Sequence, residues 1–80
     1  VKMYLHVGND TVVKASELVA VLNAKMLNVS PYLQKFLHQN KVIDLAEGNI
    51  KSIVVTIHHI YLSPIGSTAL KRKSAKMSTL

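Results

Sequence analysis

The chain has 80 residues, a formal net charge of +6 and no cysteine, which leaves room for one domain with a thin core and excludes disulfides and thiolate metal sites. Apolar residues make up 49% of it, generous for so small a surface; a ring-like or other homo-oligomer that buries the surplus is expected, with a compact monomer as the alternative. No apolar run approaches the roughly 18 residues of a membrane span and no charged segment followed by an apolar stretch marks a leader, so a cytoplasmic protein without membrane contact is expected.

In chain order, Met3 to Val7 and Thr11 to Val13 read as two strands around Gly8-Asn9-Asp10, residue types that tolerate positive φ or bond their own backbone in turns. A three-residue loop sets Leu5 opposite Val13 and Val7 opposite Thr11 on a mostly apolar face, with Tyr4 and His6 on the other. Residues 17–22 are ambiguous. Ser16 is available as a helix cap, but the shortness of the run and its valines favour a strand. Ser30-Pro31 predicts a helix over 31–40, serine capping free amides and proline suiting the first helical position. Its inward residues are expected to be Leu33, Phe36 and Leu37, with Gln34, Lys35 and Gln39 facing away. A short strand at Val42 to Leu45, a turn at Glu47-Gly48-Asn49 and a strand over 51–57 follow.

The most apolar run, Ser52 to Pro64, carries His58-His59 at its centre. With the histidines as a two-residue loop, Ile57 pairs with Ile60, Thr56 with Tyr61 and Val55 with Leu62. One face is then Ile53, Val55, Ile57, Ile60 and Leu62, the expected oligomer interface, and the other is Val54, Thr56, Tyr61 and Ser63. Histidine suits positive φ less well than glycine, so a longer loop or a bulge is the alternative. Ser67 is the expected cap of a basic helix over 67–77, which has little apolar surface and is marginal alone. The expected architecture is α+β: a small twisted antiparallel β-sheet of short strands and hairpins, one central helix and a basic C-terminal helix. A single domain over 1–65 is followed by the basic helix or tail over 66–80.

Charge is uneven. Lys71, Arg72, Lys73 and Lys76 supply four of the six excess positive charges and have no acid among them. Such a cluster attracts polyanions through counterion release; a solvated terminus is the alternative. Enzymatic chemistry is not expected. No nucleophile elbow and no phosphate-cradling glycine run is present, and the glycines at 8, 48 and 66 are dispersed. Four histidines invite a metal, but adjacent His58 and His59 splay, and His38 has no second ligand one helical turn away. No catalytic residue, metal, cofactor or small-molecule substrate is therefore expected.

Three segments together carry a family resemblance: "MYLHVGNDTVV" at 3–13, "NVSPYLQKFL" at 28–37 and "KSIVVTIHHIYLSPIGSTALKR" at 51–72. In that collinear order the chain resembles the RemA/RemB-type extracellular-matrix regulators of bacteria, nearest their RemB branch, over roughly residues 3–73; Val1-Lys2 precede the usual start. The resemblance implies a cytoplasmic transcription regulator of biofilm-matrix genes. RemA-type members form rings that bind DNA through repeated basic patches. Repetition lets several weak contacts act together. Their arginines after the second strand and before the Lys-Ser-Ile-Val-Val strand are replaced here by Glu17, Asn49 and Ile50, and Arg72 is the chain's only arginine. Duplex DNA is accordingly expected to be held at its backbone by Lys14, Lys51, Lys71, Arg72 and Lys73. An interaction module that does not bind DNA is the second reading.

Overall fold

The computed structural model describes residues 3–77. Val1-Lys2, and residues 78–80 of the expected tail, lie outside the described residues. The elements are β1 (Tyr4–Gly8), β2 (Thr11–Lys14), β3 (Leu18–Asn23), α1 (Pro31–Gln39), β4 (Val42–Asp44), β5 (Ser52–Thr56), β6 (Ile60–Ser63) and α2 (Ser67–Met77). Two 3-10 segments, Ala15–Glu17 and Ala24–Asn28, flank β3. The fold is α+β, as expected, with one difference. The main sheet has the order β3-β5-β6-β4, and β4 runs parallel to β6 while the other pairs are antiparallel. Strands β3 and β4 lie at opposite edges, so the chain between them must cross the sheet, and α1 is that crossover. The hairpin β1-β2 is a separate two-stranded sheet.

The hairpin keeps its expected faces, but its register breaks. Leu5 faces Val13, whereas Gly8, not Val7, faces Thr11. The loop is Asn9-Asp10, both residues at positive φ, and Gly8 at φ 121 absorbs the bulge. A two-residue turn of this kind matches the twist of the strands it joins, which is why it displaces the three-residue loop. Gly8 also has no space for a side chain, because a Cβ there would lie 2.8 Å from Cδ of Pro64.

The β5-β6 hairpin corrects the expected histidine turn. Val55 faces Ile60, Val54 faces Tyr61 and Ile53 faces Leu62. The turn is centred on Ile57-His58, and neither residue has positive φ. Thr56 explains the choice. Its hydroxyl accepts from the His59 amide at 3.0 Å and donates to the His59 carbonyl at 2.7 Å. A side chain that closes the turn removes the demand for left-handed residues. The slip is by two in register, so the faces survive: Ile53, Val55, Ile60 and Leu62 still share one, and Ser52, Val54, Tyr61 and Ser63 the other.

Those two faces are covered by different layers. Val54 and Val21 meet Leu5, Val7 and Val13 of the hairpin, Leu45, and Leu70 of α2 in the buried core, with Leu18, Ile43, Tyr61 and Ile65 against it. At about 1.5–3 kcal/mol for each fully buried aliphatic side chain, this cluster is the main favourable term of the fold. The opposite face meets α1 and the second 3-10 segment, where Leu27, Leu37, Val42 and Leu62 line a shared groove. Ser30 caps α1 by accepting from the Leu33 amide at 3.2 Å, with Pro31 as its first residue. Leu33 and Leu37 are half-buried, but Phe36 turns outward. Gln34 does not simply face away, since its amide donates to the Leu27 carbonyl.

Candidate nucleic-acid interface

Helix α2 forms over the expected span, but it starts differently. The Leu70 amide donates to the Gly66 carbonyl at 3.1 Å, so Gly66 takes the capping position and Ser67 is the first helical residue. The inward residues are Ser67 and Leu70, both buried, and half-buried Ser74 follows one turn later. The spacing 67, 70, 74 is one helical stripe. Lys71, Arg72 and Lys73 succeed Leu70 at about 100° per residue, so they fan around the outer side, all exposed. One apolar anchor thus holds three cations out from the hairpin and β3, the elements α2 packs against.

Two buried serines fix where the helix begins. Ser52 and Ser63 face each other across β5 and β6. Ser52 Oγ donates to the Ile65 carbonyl at 2.7 Å, and Ser63 Oγ donates to the Val7 carbonyl at 2.6 Å while accepting from the Ile65 amide at 3.0 Å. Buried hydroxyls satisfied in this way lock the Pro64-Ile65 connection to the sheet and to β1. Neither serine stood out in the sequence, where both read as ordinary strand polar residues. Their only signal is a position on the same face as Val54 and Tyr61.

Lys51 lies at the foot of α2. Its amide donates to the Ser63 carbonyl at 2.9 Å and its carbonyl accepts from the Ala24 amide at 3.1 Å, which holds its backbone on both sides. Its exposed side chain lines a groove of about 410 Å³ with Lys25, Asn23, Ile50, Ser67 and Thr68. Lys25 was not singled out in the sequence, because only the fold returns the segment after β3 to the start of β5. Lys14 is exposed at the end of β2 opposite Tyr4 and lies outside that groove. Four of the five expected DNA-contacting residues therefore belong to α2 and its foot, and Lys14 to the hairpin.

The positions matching the family arginines separate along the sheet. Asn49 and Ile50 precede β5, and Ile50 lines the groove. Glu17 lies beyond the other end, where its carbonyl accepts from the Ile57 amide at 3.0 Å and its carboxylate stands 3.6 Å from Nε2 of His58. The five residues of β5 set those ends roughly 17 Å apart at about 3.3 Å per residue. With His58 exposed and Glu17 half-buried, the contact is a surface one and worth at most about 1 kcal/mol when charged.

Of the expected interface residues, Ile53 and Ile60 are buried within the chain and so offer no surface to a partner; Val55 and Leu62 are half-buried and Ile57 is 62% exposed. The hairpin pattern alone did not disclose that burial. Larger exposed apolar residues stand elsewhere. Met26 and Val29 stand exposed in and just after the second 3-10 segment and Tyr32 and Phe36 on α1, while Tyr4 and Val12 lie on the outer face of the hairpin. Among the described residues, no three histidine or acidic side chains gather as a metal-binding set, and no helix is long and apolar enough to cross a membrane.

A sequence model of the RemA-like family, described as Extracellular matrix regulatory protein A-like, matches residues 4–73. The chain is also 40% identical over 77 residues to Extracellular matrix regulatory protein B of Bacillus subtilis (strain 168), an alignment that covers 94% of each chain.

Proposed function

Since the chain belongs to the RemA-like family of extracellular matrix regulatory proteins, we propose that it is a non-enzymatic bacterial transcription regulator of matrix and biofilm genes. It acts in the cytoplasm and binds duplex DNA as a homo-oligomer, mainly through backbone phosphates. Neither a cofactor nor a small-molecule substrate is part of this reading. The observation that carries it is the basic triplet Lys71, Arg72 and Lys73, exposed on a helix anchored by Leu70, with Lys51 at the foot of that helix. One such patch is weak. Several copies held in one assembly act at high effective concentration.

Self-association is supported by the placement of the exposed apolar groups. Tyr32 and Val29 lie on the α1 side of the sheet, and Tyr4 and Val12 on the hairpin side. Two different apolar surfaces on opposite faces suit a head-to-tail contact, which closes into a ring when the rotation permits.

The test is retardation of duplex DNA at two salt concentrations, with light scattering on the same samples. Binding is expected to weaken steeply with salt, because each neutralised phosphate adds roughly −0.9 to the slope of log K against log salt. Lys71→Glu, Arg72→Glu and Lys73→Glu together should abolish retention without changing oligomeric mass. An intact oligomer that retains no DNA at low salt refutes the reading. It would favour the second one, an interaction module that joins or caps another oligomer, for which Glu17, Asn49 and Ile50 in place of arginines speak.

A further inference from the structure

Strand β3 is an open edge of the main sheet. The order β3-β5-β6-β4 gives it a partner on one side only, and the bond from the Ala24 amide to the Lys51 carbonyl fixes which residues face β5. Bonds in an antiparallel pair come from alternate residues, so Leu22 and Ala20 also face β5, while Val21 and Asn23 direct their amides and carbonyls away from it. Among the described residues neither of those amides has a backbone acceptor. The opposite edge is protected. Strand β4 has only three residues, follows Lys41 and ends on Asp44, whose carboxylate accepts from the Ala46 and Glu47 amides. Short and charged edges resist pairing with another chain. Strand β3 has six residues, none of them charged or proline, and its one interruption is the bulge between Leu18 and Ala20.

Charge selects the occupant of this edge. Each copy carries a net charge of +6, so two copies repel except where charge is absent or matched. Strand β3 is uncharged and is flanked by Glu17 and Lys25, each four residues from Val21. Antiparallel pairing of β3 with β3 of a second copy, centred on Val21, therefore brings each Glu17 toward Lys25 of the other copy. The same register sets Val21 opposite its counterpart as a hydrogen-bonded pair, which its outward amide and carbonyl suit. It also puts Asn23 opposite Val19, so the bulge falls at the ends of the pairing and not at its centre. Val19, 62% exposed, and Asn23, also exposed, leave those ends accessible. Centring the pair on Ala20 or Leu22 instead sets Glu17 opposite Asn23 or Leu27 and loses the charge match.

We infer that β3 is a twofold pairing edge: the β3 strands of two copies join antiparallel through their backbones about Val21, with Glu17 and Lys25 matched at both ends. The inference rests on the self-association proposed above and not on DNA binding. It adds a contact that the exposed faces of α1 and the hairpin do not supply. Because the same edge serves both copies, this contact joins chains in pairs, whereas a head-to-tail contact joins them in series.

The experiment follows amide hydrogen exchange and sedimentation of the full chain across a range of protein concentrations. The Val21 and Asn23 amides, which lack a backbone acceptor within the chain, should exchange at least about tenfold more slowly when the protein is associated than when it is dilute. Lys25→Glu and Glu17→Lys each place like charges at both ends of the pairing and should weaken association about tenfold. The double variant should restore it. Asn23→Pro is the backbone test. Asn23 has φ −73, which proline adopts, and its amide has no backbone bond within the chain to lose. This variant should abolish the protection of Val21. Asn23→Ala, which loses only the bond accepted from the Lys25 amide, should keep it. An associated protein whose Val21 amide exchanges at the same rate at every concentration overturns the pairing and leaves self-association standing. So do charge reversals whose effects add instead of cancelling. A chain that stays monomeric at all concentrations removes both the pairing and the self-association.

Discussion

The two helices of this fold exchange the roles their sequences lead one to expect. Helix α1 has the strong amphipathic pattern, a serine cap and a proline start, yet none of its residues is fully buried. Tyr32 is 85% exposed and Phe36 is 39% exposed. Helix α2 is basic and poor in apolar residues, yet Leu70 is completely enclosed. Periodicity describes what a helix can bury; what it does bury depends on the surface opposite. Leu70 enters a cleft between the hairpin and β3, whereas α1 rests on a sheet face through Leu33 and Leu37 and leaves its aromatic side to the outside.

This contrast can be broken most severely at Leu70. Leu70→Ala should cost about 2–5 kcal/mol, because a cavity opens where the surrounding strands cannot collapse. Denaturant unfolding checks the value, and a loss below about 1 kcal/mol would show that α2 is not anchored as described. Ser30→Ala is the corresponding lesion in α1. Removal of the cap should cost about 1 kcal/mol in the same assay. A neutral result would mean that α1 is held by packing rather than by its terminus.

The smallest effect on stability is expected on the exposed side of α1. Tyr32→Ser with Phe36→Ser should change unfolding of dilute, monomeric protein by no more than about 0.5 kcal/mol. The same pair should lower the mass seen by light scattering at high concentration if a second copy covers this side. Unchanged mass would remove α1 from the assembly. The outer face of α2 is the counterpart: Lys71→Glu, Arg72→Glu and Lys73→Glu should likewise leave unfolding within about 0.5 kcal/mol, so that any loss of DNA retention is not a loss of fold.

Local signals made most of the elements legible. The Ser30-Pro31 start, a turn within Gly8-Asn9-Asp10, the strand in 51–57 and the basic run in 71–73 each depend on neighbours a few residues away, and each is present near its expected place, the turn tightened from three residues to two. The partition of β5 and β6 into two faces also survived a register error, because a shift of two preserves alternation. Long-range facts were not legible. The parallel pairing of β4 with β6, the covering of Ile53 and Ile60, and the outward turn of Phe36 all require knowing which layer lies on which face.

The candidate site divides along the same line. Sequence alone determined that positive charge gathers at the end of the chain and that no cysteine or nucleophile constellation is present. Only the tertiary structure decided that Leu70 would seat that charge on the hairpin, and that Lys25, Lys51 and Ser67 would meet at its foot. Periodicity and turn chemistry act within a few residues, whereas a groove is made by strands brought together from distant parts of the chain, and burial is a property of both surfaces that meet.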